Sequence, residues 1–187
     1  MKVEPTPLEG VLIVEPRVFA DERGFFMETY RAERYREHGI PDTFVQDNLS
    51  RSQRGVLRGL HYQWPRPQAK LAFAIAGEVF DVAVDIRAGS PTFGRWFGTV
   101  LSEANKRQLL IPAGFAHGFC VLSETALFGY KCSDSWVAEF DRAIRFDDPA
   151  VGVEWPIAEP ILSDKDRAAP RLHAVAAADL PPYEVAG

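Results

Sequence analysis

The sequence predicts a mainly β fold, a sandwich or a barrel, on three observations. Short runs alternate apolar and polar residues at the strand period, 14 glycines and 14 prolines punctuate those runs along the whole chain, and one credible helix precedes them. The chain has 187 residues, close to one domain at about 150 residues each, so residues 1–187 are expected to form a single unit. Its 47 % apolar and 25 % charged residues exclude global disorder and collagen-like repetition.

The helix is expected from about Tyr30 to His38, with Thr29 capping its start and Gly39 followed by Pro41 ending it. It is short and peripheral. Leu71, Phe73 and Ile75 then alternate with small alanines up to Gly77, a bend or bulge; the alanines predict close packing or a cavity wall. Glu78 to Ile86 shows the strand period most clearly. Phe80, Val82, Val84 and Ile86 point one way and Val79, Asp81, Ala83 and Asp85 the other, with one side as core. Further strands fall at Arg95 to Leu101, Lys106 to Ile111, Phe115 to Leu122 and Thr125 to Cys132, separated by turns such as Ala88-Gly89-Ser90-Pro91 and Pro112-Ala113-Gly114. From about residue 150, Trp155-Pro156, Glu159-Pro160 and Pro181-Pro182 predict an extended covering arm, with a brief helix at Ala174 to Leu180.

A net charge of -5 opposes non-specific attraction to nucleic acid or an anionic membrane, so an anionic ligand has to meet a local cationic pocket. The start of the sequence carries no secretory signature, and no apolar run approaches the ~18 to 20 residues of a membrane span. A cytoplasmic location is expected, with neither nucleic acid nor membrane as partner. Cys120 and Cys132 lie in apolar strand-like segments and read as buried free thiols.

Several polar residues interrupt this pattern. Asp21-Glu22-Arg23-Gly24-Phe25-Phe26-Met27-Glu28 is either a solvated turn before a strand or an Arg for an anionic group beside aromatic faces. Gln46-Asp47-Asn48-Leu49-Ser50 is polar where alternation predicts a strand, so its amides form a turn or face a polar ligand. In Arg58-Gly59-Leu60-His61-Tyr62-Gln63, alternation puts Arg58, Leu60 and Tyr62 on one face and His61 on the other. His61 is a satisfied structural histidine or a functional one. Metal ligation by His61 and His117 lacks the HxH or HExxH pairs that barrels use, so no metal is expected. Lys70 is solvated at a strand edge or aimed at a ligand oxygen. Tyr130 shares a face with Ala126, Phe128 and Cys132 and is a core tyrosine or an acid facing inward. Asp164-Lys165-Asp166-Arg167 reads as a solvated charge run.

Together these segments resemble the dTDP-4-dehydrorhamnose 3,5-epimerase family. The resemblance runs through DERGFFMET (Asp21 to Thr29), FVQDNLS (Phe44 to Ser50), GVLRGLHYQ (Gly55 to Gln63), QAKL (Gln68 to Leu71) and GEVFDVAVDIRAGSPTFGRW (Gly77 to Trp96). It continues through NKRQLLIPAGFAHGF (Asn105 to Phe119), YKCSD (Tyr130 to Asp134) and ILSDKDRAAP (Ile161 to Pro170), in order over nearly the whole chain. The resemblance implies a cupin-type jelly roll, a double-stranded β-helix barrel with a few short peripheral helices. It also implies a homodimer that exchanges N-terminal segments, no metal and no cofactor, and dTDP-4-dehydro-6-deoxy-D-glucose as substrate, inverted at C3 and C5.

Carried over by position, the resemblance makes His61 the base, Asp166 its orienting carboxylate, Lys70 the group beside the C4 oxygen and Tyr130 the acid. Arg23, Glu28, Gln46, Asn48, Arg58, His117 and Lys165 would surround the nucleotide sugar, with Arg23 and Glu28 serving the partner's site. Two positions depart from the family pattern. Trp136 stands where a tyrosine meets the nucleotide base, and Asp141, with Glu139 nearby, where the family often has Glu. The strand after Lys70, with Ala72 and Ala74, is also smaller than the family version. These departures keep a single-position epimerase open as the alternative, and a non-catalytic sugar-nucleotide-binding cupin as a further rival.

Overall fold

A computed structural model describes residues 1–40 and 43–183; Pro41, expected to help end the helix, lies outside them. The strands, in chain order, are β1 (Lys2–Pro5), β2 (Leu12–Glu15), β3 (Val18–Asp21), β4 (Gly24–Met27), β5 (Gln46–Gln53), β6 (Leu57–Gln63) and β7 (Lys70–Ala76). They continue as β8 (Glu78–Asp85), β9 (Trp96–Ser102), β10 (Gln108–Ile111), β11 (Phe115–Val121), β12 (Thr125–Cys132) and β13 (Asp141–Ala143). One sheet runs β1-β2-β10-β7-β12-β5, a second runs β13-β6-β11-β8-β9, and β3 and β4 form a separate hairpin.

The two sheets bury their facing sides against each other, as a jelly-roll barrel requires. Ala72, Ala74, Ala126 and Phe128 from the first sheet pack with Val79, Ala83, Phe119 and Val121 from the second. Small alanines on β7 leave room for the Phe119–Phe128 pair, whose ring centres are 4.1 Å apart, so of the two expectations for that strand close packing holds. The expectation of a single core face on β8 does not. Val82, Val84 and Ile86 form a second cluster on the outer face, under Val151, Leu172, Val175 and Leu180 of the C-terminal segment. Once that segment covers the sheet, both sides of the strand are dry, and alternation loses its polar half.

Gly77 takes φ +76°, and a Cβ there would lie 2.2 Å from the Thr125 carbonyl oxygen, so the β7–β8 bend depends on glycine. The helix α1 is shorter than its pattern, Ala32–Glu37, and Arg31, not Thr29, stands at its N-cap without a side-chain bond. Thr29 contributes its carbonyl instead, accepting from Gln108 Nε2 at 2.7 Å and lying 2.9 Å from the Tyr35 hydroxyl. Tyr35 is buried and dictates where the helix sits. The helix expected at Ala174 to Leu180 is replaced by two 3₁₀ turns, Leu172–Ala174 and Ala177–Asp179, because Val175 is extended and packs onto the outer core. Conversely, the charge run at Asp164 is a helix, α2 (Asp164–Ala168), whose N-cap Ser163 accepts from the Asp166 backbone N–H.

Candidate active site

One irregularity builds the site. Along β6 and β11, His117 pairs with His61 but Phe119 pairs with Arg58, so β6 carries one extra residue between the two pairs. This bulge turns Arg58 onto the same side as His61, correcting the expectation that alternation separates them, while Leu60 and Tyr62 pack outward. It needs two glycines. A Cβ on Gly59 would meet Gly118 Cα at 2.5 Å, and one on Gly118 would meet the Arg58 carbonyl at 2.8 Å. The signal was present in the sequence as a glycine inside a strand.

The inward side chains surround a cavity of about 360 Å3. Gln46, Asn48 and Ser50 enter from β5, Arg58, His61 and Gln63 from β6, Lys70 from the start of β7, His117 from β11, and Tyr130 and Cys132 from β12. Trp136, Asp141 and Lys165 complete the wall, so eleven of the thirteen residues assigned to the site from the sequence line this cavity or contact one that does. Arg23 and Glu28 do not. The Arg23 side chain is 85 % exposed on the β3–β4 hairpin and paired with Asp21, and Glu28 pairs with Arg34. Glu139 is also outside the cavity lining.

His61 Nε2 lies 2.5 Å from Asp166 Oδ1, a pairing across the chain that only the docking of α2 allows. The second carboxylate oxygen accepts from Ser163 Oγ at 2.8 Å. Burial pushes the Asp166 carboxyl up, but the bond from His61, its field and the Ser163 hydroxyl outweigh that and hold it below the ordinary 3.8. Ser163 is a site residue that the sequence reading missed; its signal is the capping-box spacing of a serine three residues before Asp166.

Lys70 is buried, not solvated at an edge, and its Nζ lies 3.4 Å from the His61 carbonyl oxygen. Desolvation lowers its pKa from 10.5, against the opposing fields of Cys132, Asp141 and Asp81. Burial raises the Tyr130 phenol above 10.0, so it stays protonated. His117 is also buried, and desolvation lowers its pKa below 6.5 although Asp81 pulls the other way. His117 Nε2 is 2.7 Å from Asp81 Oδ1, and Asp81 is a second residue missed from the sequence, betrayed only as an acid on an apolar strand face.

At the mouth, the Gln46 side-chain oxygen accepts from the Trp136 backbone N–H at 2.8 Å, and Gln63 Oε1 accepts from Val137 N at 2.7 Å. These amides hold the loop that presents the half-exposed Trp136 ring. Lys165 pairs with Asp141 across the opening. Among the described residues no three His, Cys, Asp or Glu side chains cluster as a metal centre needs, and no helix is long and apolar enough to cross a membrane.

The family model for dTDP-4-dehydrorhamnose 3,5-epimerase matches residues 5–174. The chain belongs to this family. A curated 3,5-epimerase of Pseudomonas aeruginosa is 57 % identical over 169 residues, 89 % of this chain and 93 % of that one. The crystal structure of a dTDP-6-deoxy-D-glucose-3,5-epimerase from Legionella pneumophila, in complex with dTDP-4-keto-L-rhamnose, is 54 % identical. It superposes with a TM-score of 0.96 and covers 98 % of this chain and 99 % of its own. A dTDP-4-dehydrorhamnose 3-epimerase of Streptomyces niveus is 39 % identical over 169 residues, 89 % of this chain and 82 % of its own. Membership makes the chain an isomerase, a dTDP-sugar epimerase on a cupin jelly roll.

Proposed function

We propose that the chain inverts C3 and C5 of dTDP-4-dehydro-6-deoxy-D-glucose, giving dTDP-4-dehydro-β-L-rhamnose. The observation that carries the reading is that His61 and Tyr130 stand on strands of the two facing sheets and line one cavity. A carbon next to a ketone inverts only if the proton leaves one face of the planar enolate and another arrives on the opposite face. One group that returned its own proton would restore the starting configuration. His61 removes the proton as general base, steadied by Asp166, and Tyr130 returns one as general acid.

Between those steps the ketone oxygen carries negative charge. The buried Lys70 ammonium faces it in a low-dielectric cavity, where the attraction is stronger in the enolate than in the ketone and so lowers the barrier. The diphosphate meets Arg58 and Lys165, which leaves Asp141 when the anion arrives, and the thymine stacks on Trp136. The Phe25 and Phe26 rings lie exposed beside Arg23 on the β3–β4 hairpin, which supports a homodimer in which this hairpin completes the partner's site. Protons and the two faces of the sugar are handled by side chains of the chain itself, in the cytoplasm.

The test is proton NMR of the ketosugar incubated with the protein in D2O, with a ketoreductase trapping the product. Deuterium at both carbons and an L-rhamno product is the expected result; loss of exchange at both sinks the reading. Exchange at one carbon supports the single-position alternative, which Trp136 favours, as does similarity to a 3-epimerase.

A further inference from the structure

Asp81 is fully buried, and its Oδ2 has no hydrogen-bond partner among the described residues. A carboxylate oxygen left bare in a dry core costs stability, so its retention calls for a reason outside packing. Its other oxygen meets His117. In the β8–β11 pairing Asp81 faces Phe119, which places it diagonally across from His117 on the inner side of the sheet. A carboxylate oxygen accepts only, so the proton of the 2.7 Å contact sits on His117 Nε2. Desolvation, helped by the fields of Lys70 and His61, lowers the His117 pKa against the pull of Asp81 and so favours the neutral ring. A neutral ring with its proton on Nε2 has a lone pair on Nδ1, and Nδ1 bonds to no described residue although the ring lines the cavity.

We infer that Asp81 is a positioning residue that fixes His117 in the Nε2–H form, so that Nδ1 accepts a hydrogen bond from a hydroxyl of the bound sugar. The alternative form would present an N–H to the cavity and repel the polarised hydroxyl hydrogen it should receive. The assignment of the sugar rests on the function proposed above, whereas the assignment of the proton does not. Asp81 therefore acts through His117 and touches no reacting atom.

The experiment reads the proton and the activity separately. In 15N-labelled protein, the two ring nitrogens of His117 are distinguished by shift and coupling, and Nε2 is expected to be the protonated one. A protonated Nδ1, or both nitrogens protonated at neutral pH, overturns the inference. Asp81→Ala should release the preference and lower kcat/KM about 10- to 100-fold, the loss of one hydrogen bond inside a cavity. Its affinity for dTDP alone should stay unchanged, and its affinity for a dTDP-hexose should fall. Asp81→Asn keeps the shape, and its amide can either accept from Nε2 or donate to it. Activity and proton position should move together in both variants. A variant that keeps the Nε2 proton but loses activity would overturn the inference, because charge and not tautomer would then matter. Equal weakening of dTDP and dTDP-hexose would overturn the sugar contact. If the wild-type protein binds neither ligand, the proposed function fails, while the nitrogen spectrum still decides the role of Asp81.

Discussion

Two histidine–carboxylate pairs face the same cavity, and they differ in nearly every physical respect. His61 has a side chain 33 % exposed, and its partner Asp166 arrives from α2 with both oxygens bonded. The His117 side chain is only 6 % exposed, and its partner Asp81 comes from the neighbouring strand with one oxygen bare. A histidine that must take up and release protons needs solvent within reach and a carboxylate that welcomes the imidazolium. One that must keep a single proton in place needs the opposite. On the function proposed above, the same two residue types serve two purposes, and burial separates them.

His61→Ala breaks the comparison most severely. We expect turnover to fall by roughly 10²- to 10⁴-fold with dTDP affinity little changed, measured by steady-state kinetics and calorimetry; a matching fall in dTDP affinity would mean that His61 binds and does not catalyse. Asp166→Asn should follow, with kcat reduced about 100-fold or more as the imidazole loses its orienting charge. The same variant has a stability signature. Because the Asp166 carboxyl is held below 3.8 in the fold, it stabilises the protein above that value, and the contribution fades as pH falls through the lowered value. Acid titration followed by circular dichroism should therefore show a smaller low-pH loss in the variant.

Lys70→Met sharpens the comparison from the side of cost. The lysine pKa is lowered in the fold, so the unfolded chain holds the proton more readily, and the penalty is fully present at acidic pH and fades as pH rises toward 10.5. The variant should lose activity yet melt higher than wild type, with the gain shrinking in alkaline buffer. Ser163→Ala makes the smallest change. It removes the cap of α2, worth about 1 kcal/mol, and one bond to Asp166, and should lower kcat about tenfold with KM unchanged.

Much of this was legible beforehand where side chains alternate against water. Tyr130 and Cys132 fall on one face two residues apart and both line the cavity, although the pairing of β12 with β7 shifts register between Leu127 and Phe128. Gln46 and Asn48 stood out as polar residues on an inward face. Arg58 was misread because a bulge adds a residue that periodicity cannot count, although Gly59 marks it. Asp166 looked like solvated charge, since nothing local shows that α2 docks beside β6. The pairing with His61 spans 105 residues, and only tertiary contact reveals it. The roles themselves came from resemblance and not from spacing.

The position of α2 has a consequence for synthesis. All strands of the barrel are complete once Ala143 has been made, whereas the carboxylate that steadies His61 arrives only with Ser163 and Asp166. On the function proposed above, a nascent chain emerging from the ribosome therefore holds every strand of its pocket before Lys165 closes the wall and Asp166 reaches the base. A cut between those two points would put His61 and Asp166 on separate fragments, held together only by the packing of the C-terminal segment on the second sheet.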